Sequence, residues 1–517
     1  MKEFKNEEYL QFSDKDIAKK QRTALDEVRT CFGREYPNYI GGKEVFSIGK
    51  TTSLNPANID ETIGIFQKSG KDQAEQAMQA ALVAFETWKN VPVKKRAEYL
   101  FKAAKVIRKR RLEINAWMIS EVGKNYLEAD ADTCEAIDFL EFYGREALRY
   151  GGKQPITKLK GERNRLTYIP LGVGVVIPPW NFPFAILVGM SSAAIAAGNT
   201  VVLKPSSDSP MMGWIFADIM RSVGLPDGVL NFLVASGAEA GDYLTQHPKT
   251  RFISFTGSME VGLRINELAA KKSEGQIWIK RVVAEMGGKD SIIVDKVKDI
   301  DEAVKGVAAA AFGFQGQKCS ACSRAIVDES IYDEFTAKLQ AEVAGLKIGD
   351  PADNYSVGPV VSAKAEKTIL EYIEIGKKEG QLLNGGGKVS GKNGYFIQPT
   401  VIADVSPTAR IAQEEIFGPV LAVIKSSSFE ESLAIANNTI YGLTGAVYSD
   451  NQDALFRAEN EFHVGNLYLN RKCTGAFVGC HPFGGFNMSG TDSKAGGRDY
   501  LLLFLQAKTV SEKVRGK

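Results

Sequence analysis

The feature that most constrains the fold is a regular alternation of short β-branched segments with helical segments between residues 173 and 255. The strand-like segments are 173–177, 200–203, 229–234 and 251–255. This alternation predicts a parallel, doubly wound α/β sheet. Ligands of such sheets bind beyond the carboxyl ends of the strands. We therefore expect a binding site at the unusual residues that follow these strands: Trp180, Asn181, Lys204, Pro205, Ser206, Thr256, Gly257 and Ser258.

Residues 171–203 carry no charged side chain, and a hydropathy window alone would predict a membrane span there. The stretch is interrupted by Pro178, Pro179, Asn181, Pro183 and Gly198. Such breaks would leave backbone groups unpaired in lipid. We interpret the stretch as a buried strand, a loop, a helix and a second strand, and we expect no span.

Composition limits the class of protein and its partners. A chain of 517 residues predicts two or three domains. The 64 basic and 62 acidic residues leave a net charge of +2, which argues against nucleic acid or a membrane surface as the main partner. The first residues contain no apolar run, so we expect no signal peptide. Six cysteines in this length form no disulfide framework, and the cytoplasm is the expected compartment.

A second alternating region begins near residue 291 and extends to about 470. Its strand-like segments include 400–405 and 420–424. The end of the chain, from Leu501, is apolar and alternating, which predicts a strand that leaves the body and pairs with another subunit.

Cys319 is the candidate nucleophile, because it follows a glycine turn and Lys318. A thiol reacts as the thiolate, and cationic surroundings at such a turn lower its pKa. Cys322 makes a Cys-x-x-Cys pair with it, which leaves a redox dithiol or half of a zinc site open. Zinc needs two more ligands, and the sequence does not cluster the other candidates: Cys473, Cys480, His247, His463 and His481. We therefore expect no metal and interpret Cys322 as structural.

Glu285 is the candidate general base. The chain has three histidines, none in a recognisable nucleophile–base setting, so a Cys–His or Ser–His hydrolase is disfavoured. Glu285 lies between apolar residues and the Gly287-Gly288 turn, where a carboxyl can act near neutral pH. The alternative is a structural acid that caps the same turn. A thiol and a carboxylate base together predict acyl chemistry through a thioester.

Seven short motifs, in the expected order and over nearly the whole chain, resemble those of the aldehyde dehydrogenase superfamily. They are Pro179-Trp180-Asn181-Phe182-Pro183, Lys204-Pro205-Ser206, Phe255-Thr256-Gly257-Ser258, Glu285-Met286-Gly287-Gly288-Lys289, Gly316-Gln317-Lys318-Cys319, Glu415-Ile416-Phe417-Gly418-Pro419 and Pro482-Phe483-Gly484-Gly485.

The resemblance implies an aldehyde dehydrogenase-like α/β fold with a Rossmann-type cofactor domain, an α/β catalytic domain and a small oligomerisation β-flap. It also implies a homo-oligomer, either a dimer or built from dimers. The implied division is an N-terminal helical arm at 1–36, an NAD-binding domain at 37–150 and 171–285, a catalytic domain at 286–485, and a flap at 151–170 and 486–517.

The implied reaction is the oxidation of an aldehyde with NAD(P). Cys319 would attack the aldehyde carbon, while the Asn181 amide and the Cys319 backbone N–H stabilise the oxyanion and Glu285 activates water. Lys204 would hold the adenosine ribose, Gly257 and Ser258 the pyrophosphate, and Glu415 with Phe417 the nicotinamide ribose. The full set of expected cofactor residues is Pro179, Trp180, Lys204, Ser206, Ser207, Gly257, Ser258, Glu415 and Phe417.

Further similarity, in Arg471-Lys472 and Thr474-Gly475-Ala476, is to members that oxidise L-glutamate γ-semialdehyde to L-glutamate in proline and arginine breakdown. It implies that Ser320, Gly475 and Ala476 bind the α-carboxylate, for which fixed backbone amides are suited. Phe182 and Phe483 would pack the aliphatic chain, and Glu135 would face the α-ammonium group. The alternative for Glu135 is an ordinary helix-surface acid. There are two competing interpretations: the chain is another semialdehyde dehydrogenase of the same superfamily, or it is a non-catalytic protein with this fold.

The cofactor preference depends on the position three residues after Lys204. Strongly NAD-selective members tend to carry an acid there, and this chain has Ser207, followed by Asp208. A serine neither repels nor strongly pairs a 2′-phosphate, so we expect NAD as the main cofactor and NADP as accepted.

Overall fold

The computed structural model describes residues 3–514. Its α-helices, in chain order, are α1 Lys15–Arg29, α2 Lys71–Trp88, α3 Val93–Lys109, α4 Arg111–Val122, α5 Tyr126–Gly151, α6 Ala185–Ala196, α7 Pro210–Ser222, α8 Asp242–Gln246, α9 Met259–Ala270, α10 Ile300–Phe312, α11 Tyr332–Ala344, α12 Ala363–Glu379, α13 Arg410–Gln413, α14 Phe429–Asn437 and α15 Gln452–Glu461.

The strands are β1 Glu35–Tyr36, β2 Asn38–Ile40, β3 Lys43–Val45, β4 Lys50–Asn55, β5 Asn58–Gln67, β6 Glu162–Pro170, β7 Val173–Ile177, β8 Thr200–Leu203, β9 Leu230–Phe232, β10 Thr250–Thr256, β11 Arg281–Glu285, β12 Ser291–Val294, β13 Arg324–Asp328, β14 Gln381–Asn384, β15 Thr400–Ala403, β16 Val420–Ser426, β17 Tyr441–Gly442, β18 Thr444–Tyr448, β19 Asn466–Leu469, β20 Phe486–Asn487 and β21 Leu505–Lys513. The ends of two predicted segments, residues 1–2 and 515–517, lie outside the described residues.

The first large sheet has the strand order β11-β10-β7-β8-β9-β2-β3 and is parallel from β11 to β9. The predicted strands 173–177 and 200–203 are β7 and β8, while 229–234 is shortened to β9 and 251–255 is extended to β10. The uncharged stretch folds as β7, a loop, α6 and β8, as expected. Most of its side chains are buried because helices cover both faces of a parallel sheet. Among the helices of residues 3–514, none has the length and apolar character that a membrane span requires.

The second large sheet has the order β14-β15-β16-β13-β12-β18-β19, with only β14 antiparallel to its neighbour. The predicted segment 400–405 is shortened to β15, and 420–424 is extended to β16. Separate hydrophobic clusters lie on the two faces of this sheet. Cys319 lies in the segment between α10 and β13, where a short 3-10 turn at Gly313–Gly316 follows the helix.

The two ends of the chain differ in part from the expectation. The strand predicted from Leu501 begins at β21, after a 3-10 turn at Tyr500–Phe504. It pairs antiparallel with β6 of the same chain, so its pairing with another subunit stays a prediction. The expected helical arm at 1–36 is helical only in α1. Residues 3–11 have no regular secondary structure, and the backbone N–H groups of Glu7 and Leu10 donate to the side chains of Asp138 and Asp130.

Candidate active site

Two cavities meet at Cys319. The larger has a volume of about 880 Å³ and the smaller about 160 Å³. Thr256, Met286 and Cys319 line both. One thiol is therefore reachable from two compartments, as a group that reacts with a substrate beside a separately bound cofactor needs to be.

The larger cavity lies at the carboxyl ends of β7, β8 and β10. All of the residues expected to bind the cofactor line it: Pro179, Trp180, Lys204, Ser206, Ser207, Gly257, Ser258, Glu415 and Phe417. The Lys204 ammonium is buried, its Nζ lies 3.5 Å from the Pro205 carbonyl oxygen, and burial lowers its pKa to about 8. Ser258 is the N-cap of α9, so the positive end of that helix adjoins the cavity. A buried cation, a helix N-terminus and this volume fit a dinucleotide.

Glu415 holds the opposite wall of the larger cavity. Its Oε1 accepts a hydrogen bond from the Gly288 N–H at 3.1 Å. Burial raises the pKa of the carboxyl to about 7, against the lowering effect of Gly288 and Lys289. A Cβ atom at Gly287 would lie 2.0 Å from Glu415 Oε2, so only glycine permits this approach. Phe417 packs edge-on against Trp180, with ring centroids 5.4 Å apart.

The turn before Cys319 has an uncommon backbone. Phe314 and Gln315 have φ values of 49° and 56°, and Gly316 has 66°. Side-chain amides hold this conformation: Gln315 Nε2 donates to the Pro359 carbonyl at 2.8 Å, and Gln317 Oε1 accepts from the Val361 N–H at 2.9 Å. Consecutive left-handed residues that are not glycine store strain, which the surrounding hydrogen bonds must offset. The position of Cys319 is thus fixed by its neighbours in three dimensions.

The thiol of Cys319 is in a less favourable electrostatic setting than the sequence predicts. Burial raises the pKa of Cys319 above its usual range, and the carboxyls of Asp290, Glu415 and Glu285 raise it further. Lys318, whose charge was expected to favour the thiolate, has its Nζ 2.7 Å from Glu128 Oε1 and is compensated there. The expected lowering of the pKa of Cys319 is therefore wrong.

Asn181 lies beside the Cys319 segment, where an oxyanion donor has to be. Its side chain is buried, and Nδ2 donates to the Gln317 carbonyl at 3.1 Å. Gln317 precedes Cys319 by two residues, so the amide and the nucleophile are held on the same short segment.

Glu285 lies at the end of β11 and lines the smaller cavity. Its Oε1 accepts a hydrogen bond from the Ser493 hydroxyl, and its Oε2 accepts from the Gly485 N–H at 3.3 Å. Burial raises its pKa to about 8, while Ser493, Gly485 and Lys494 lower it. The Gly287-Gly288 turn is held by Glu415 instead, so the alternative role of Glu285 as its cap is wrong. Ser493 could not be predicted from the sequence, since no local pattern joins residues 208 positions apart.

The smaller cavity contains all of the residues expected to bind the substrate: Glu135, Phe182, Ser320, Gly475, Ala476 and Phe483. Arg471 Nη2 donates to the carbonyls of Thr474 and Gly475, at 3.0 and 3.1 Å, and so fixes the turn that carries the Gly475 and Ala476 amides. Glu135 is half-buried in the cavity wall, and burial raises its pKa to about 8. It is therefore not an ordinary helix-surface acid. Further lining residues were not found from the sequence, among them Tyr9, Glu128, Asp138 and Phe477.

Cys322 lies in the hydrophobic core beside the second sheet, and all six cysteines are free thiols. Its Sγ donates to the Arg324 carbonyl at 3.4 Å. Cys473 does not lie apart from it, as the sequence suggested: a hydrogen bond with Cys322, together with burial, raises the pKa of Cys473. Within residues 3–514 the His, Cys, Asp and Glu side chains form no group of three or more that could hold a metal ion.

Known proteins resemble this chain over nearly its whole length. The model of the aldehyde dehydrogenase family matches residues 46–510. The chain is 56% identical over 510 residues to a 1-pyrroline-5-carboxylate dehydrogenase of Geobacillus thermodenitrificans. The matched region covers 98% of this chain and 99% of that one. A solved structure of 1-pyrroline-5-carboxylate dehydrogenase from Thermus with bound NAD is 50% identical, has a TM-score of 0.98, and covers 99% of this chain and all of that one. The expected fold class is confirmed, and the chain belongs to the aldehyde dehydrogenase family.

Proposed function

We propose that the protein oxidises L-glutamate γ-semialdehyde, the open form of 1-pyrroline-5-carboxylate, to L-glutamate, with NAD as hydride acceptor and NADP as an alternative. The names of the relatives and the NAD in the Thermus structure support this substrate and cofactor. The observation that carries the chemistry is the position of Cys319 between a cavity that fits a dinucleotide and a smaller one that contains Glu285.

The cofactor residues divide by the part of NAD that each would hold. Lys204, Ser206 and Ser207 would bind the adenosine ribose, and Gly257 and Ser258 the pyrophosphate. Glu415 and Phe417 would bind the nicotinamide ribose, between the walls formed by Pro179 and Trp180. NAD supplies the acceptor for the hydride that leaves the aldehyde carbon.

Cys319 would form the covalent intermediate. Its Sγ loses a proton and bonds to the aldehyde carbon, and the former carbonyl oxygen accepts hydrogen bonds from Asn181 Nδ2 and the Cys319 N–H. When the hydride leaves that carbon, the adduct becomes a thioester. Burial and three carboxyls raise the pKa of the thiol, so loss of its proton to water costs free energy, which the hydrogen bonds to the oxyanion would offset.

Glu285 would then release the product. It takes a proton from water, whose oxygen bonds to the thioester carbon while the carbon–sulfur bond breaks. Glu285 then passes this proton to the sulfur of Cys319, which restores the thiol, and a carboxylic acid leaves. A carboxyl with a pKa near 8 is a stronger base than an ordinary glutamate, as this step requires.

The small cavity favours a short, polar aldehyde. Its volume of about 160 Å³ leaves little room for a long chain. Ser320 and the Gly475 and Ala476 amides would bind the α-carboxylate, while Phe182 and Phe483 pack the methylene groups. Glu135 would pair with the α-ammonium group.

Steady-state kinetics with three substrates test the proposal. The rate of NADH formation is compared for glutamate γ-semialdehyde, succinate semialdehyde and a simple aliphatic aldehyde, and the product is identified as glutamate by mass spectrometry. We expect the highest kcat/KM for the first. If the α-carboxylate and amine give no gain, the substrate assignment is wrong.

We also propose a cytoplasmic homo-oligomer, either a dimer or built from dimers, with the β6–β21 pair at a subunit contact and the domain boundaries given above. The separation of β6 and β21 from both large sheets supports the flap, and the free thiols fit a reducing compartment. Light scattering of the full chain measures the mass, and a monomer would contradict the oligomer.

A further inference from the structure

We infer that Tyr9, in the segment of residues 3–14 that we call the N-terminal arm, is a specificity-determining residue whose ring covers the α-amino-acid end of the substrate. The inference rests on the proposed function, since it assigns a contact to the substrate named there.

Two buried aspartates fix the arm in place. Asp138 accepts hydrogen bonds from the Glu7 N–H and from Asn6 Nδ2, both at 2.8 Å. Asp130 accepts from the Leu10 N–H, also at 2.8 Å. A buried carboxylate without such donors would cost several kcal/mol, so the pairing holds arm and helix α5 together. The arm is irregular, but its path is determined.

The arm also reaches the loop that follows the Gly475 and Ala476 turn. Asn6 Nδ2 donates to the Val478 carbonyl at 3.0 Å, and the Phe4 ring packs edge-on against Phe142 of α5, 5.2 Å between centroids. The arm therefore spans from the helix that carries Glu135 to the loop that carries the proposed carboxylate donors.

Tyr9 lies at this junction. It lines the smaller cavity together with Glu135 and Ala476, and its ring stacks on Phe477 with 5.9 Å between centroids and 21° between planes. Phe477 directly follows Ala476, so the ring is tied to the proposed carboxylate site on one side. The side chain is 36% exposed, which places it at the cavity mouth.

The carboxyl groups of Glu135 and Asp138 lie near Tyr9. Burial and the carboxyls of Glu135 and Asp138 raise the pKa of its phenol, which therefore stays neutral at neutral pH. The face of an aromatic ring attracts an ammonium group. Because the aldehyde end has to reach Cys319, the inference places the amino-acid end by Glu135, Ala476 and Tyr9, which line the same cavity.

Selectivity between glutamate γ-semialdehyde and glutarate semialdehyde, which lacks the α-amine, measures this contact. In Tyr9→Ala and Tyr9→Leu we expect the ratio of the two kcat/KM values to fall about tenfold, through KM for glutamate γ-semialdehyde, as loss of a cation–π contact predicts. Tyr9→Phe keeps the ring and should keep the ratio. Tyr355→Ala is the matched control, because Tyr355 is 38% exposed and lines neither cavity.

The outcomes separate the two claims. A wild-type ratio near one contradicts the proposed function and removes the basis of the inference. A wild-type preference that persists in Tyr9→Ala and Tyr9→Leu overturns the inference alone. A fall in Tyr9→Phe as large as in Tyr9→Ala also overturns it, since the phenol hydroxyl and not the ring would be responsible. Inhibition by L-glutamate relative to glutarate should change in parallel in every variant.

Discussion

The carboxyl of Glu285 faces the same small cavity as the thiol of Cys319, and its negative charge raises the pKa of that thiol. The two groups therefore resist being ionised together, and their titrations are coupled. This arrangement suits a reaction in which the thiol has to react first and the carboxylate acts later on water.

Removal of the nucleophile should abolish turnover and leave cofactor binding intact. For Cys319→Ala we expect kcat to fall more than about a thousandfold, because no other group can form the thioester. The Kd of NAD, measured by calorimetry, should change little, since Cys319 is only at the edge of the larger cavity. Cys31→Ala is the control, because Cys31 lines neither cavity. Turnover retained in Cys319→Ala would contradict the assignment of Cys319 as the nucleophile.

Removal of the base should separate the two half-reactions. In Glu285→Gln we expect one equivalent of NADH per active site in a rapid burst, followed by slow turnover, because the thioester forms but water is not activated. Stopped-flow absorbance measures the burst. An unchanged steady-state rate would show that Glu285 is not the base.

The rate of thioester hydrolysis should follow the ionisation of Glu285. The carboxylate is the active form, so with a pKa near 8 the rate rises about tenfold per pH unit below pH 8 and levels off above it. Ser493→Ala removes a hydrogen bond that lowers this pKa, so the rising part of the profile should move to higher pH. A profile that moves to lower pH, or does not move, would contradict this role of Ser493.

Cofactor use tests the significance of Ser207. The efficiency with NADP should exceed about a ten-thousandth of that with NAD, since larger discrimination needs some 5 kcal/mol of repulsion that a serine does not supply. Ser207→Glu should lower NADP use at least about tenfold and retain NAD use. An equal loss of efficiency with NAD and NADP would contradict this, because Ser207 would then not lie near the 2′-position of the adenosine ribose.

The buried pair Lys124–Asp132 should be important for stability. Both side chains are fully buried with Nζ and Oδ2 2.9 Å apart, and Nζ also lies 4.1 Å from the centroid of the Phe182 ring. Lys124→Met leaves the buried Asp132 carboxylate without its cation and with the Ala185 N–H as a donor, so we expect a loss of about 3–5 kcal/mol in the free energy of unfolding. Denaturant titration measures it, and Lys124→Met with Asp132→Leu should recover part. A single-variant loss below about 1 kcal/mol would contradict the prediction.

The sequence was sufficient where local pattern and burial agree. Strands β7 and β8 are apolar runs because both faces of a parallel sheet are covered, so their bounds could be read directly. Asn181 and Lys204 follow strand ends, which explains why motif positions led to one cavity.

The sequence was insufficient where contacts join distant parts of the chain. Lys318 suggested a thiolate, but its partner Glu128 is 190 residues away. The hydrogen bond from Ser493 to Glu285 and the stacking of Tyr9 on Phe477 likewise depend on the folded chain. Such long-range pairs determine pKa values and cavity walls, and the spacing of neighbouring residues in the sequence does not predict them.

The mass of intact Glu285→Gln protein, after mixing with NAD and glutamate γ-semialdehyde, tests the central claim most directly. The account predicts a mass increase of one glutamyl group, located on Cys319 by peptide mapping and absent from Cys319→Ala. Protein of unchanged mass despite a burst of NADH, or a glutamyl group on any other residue, would contradict it.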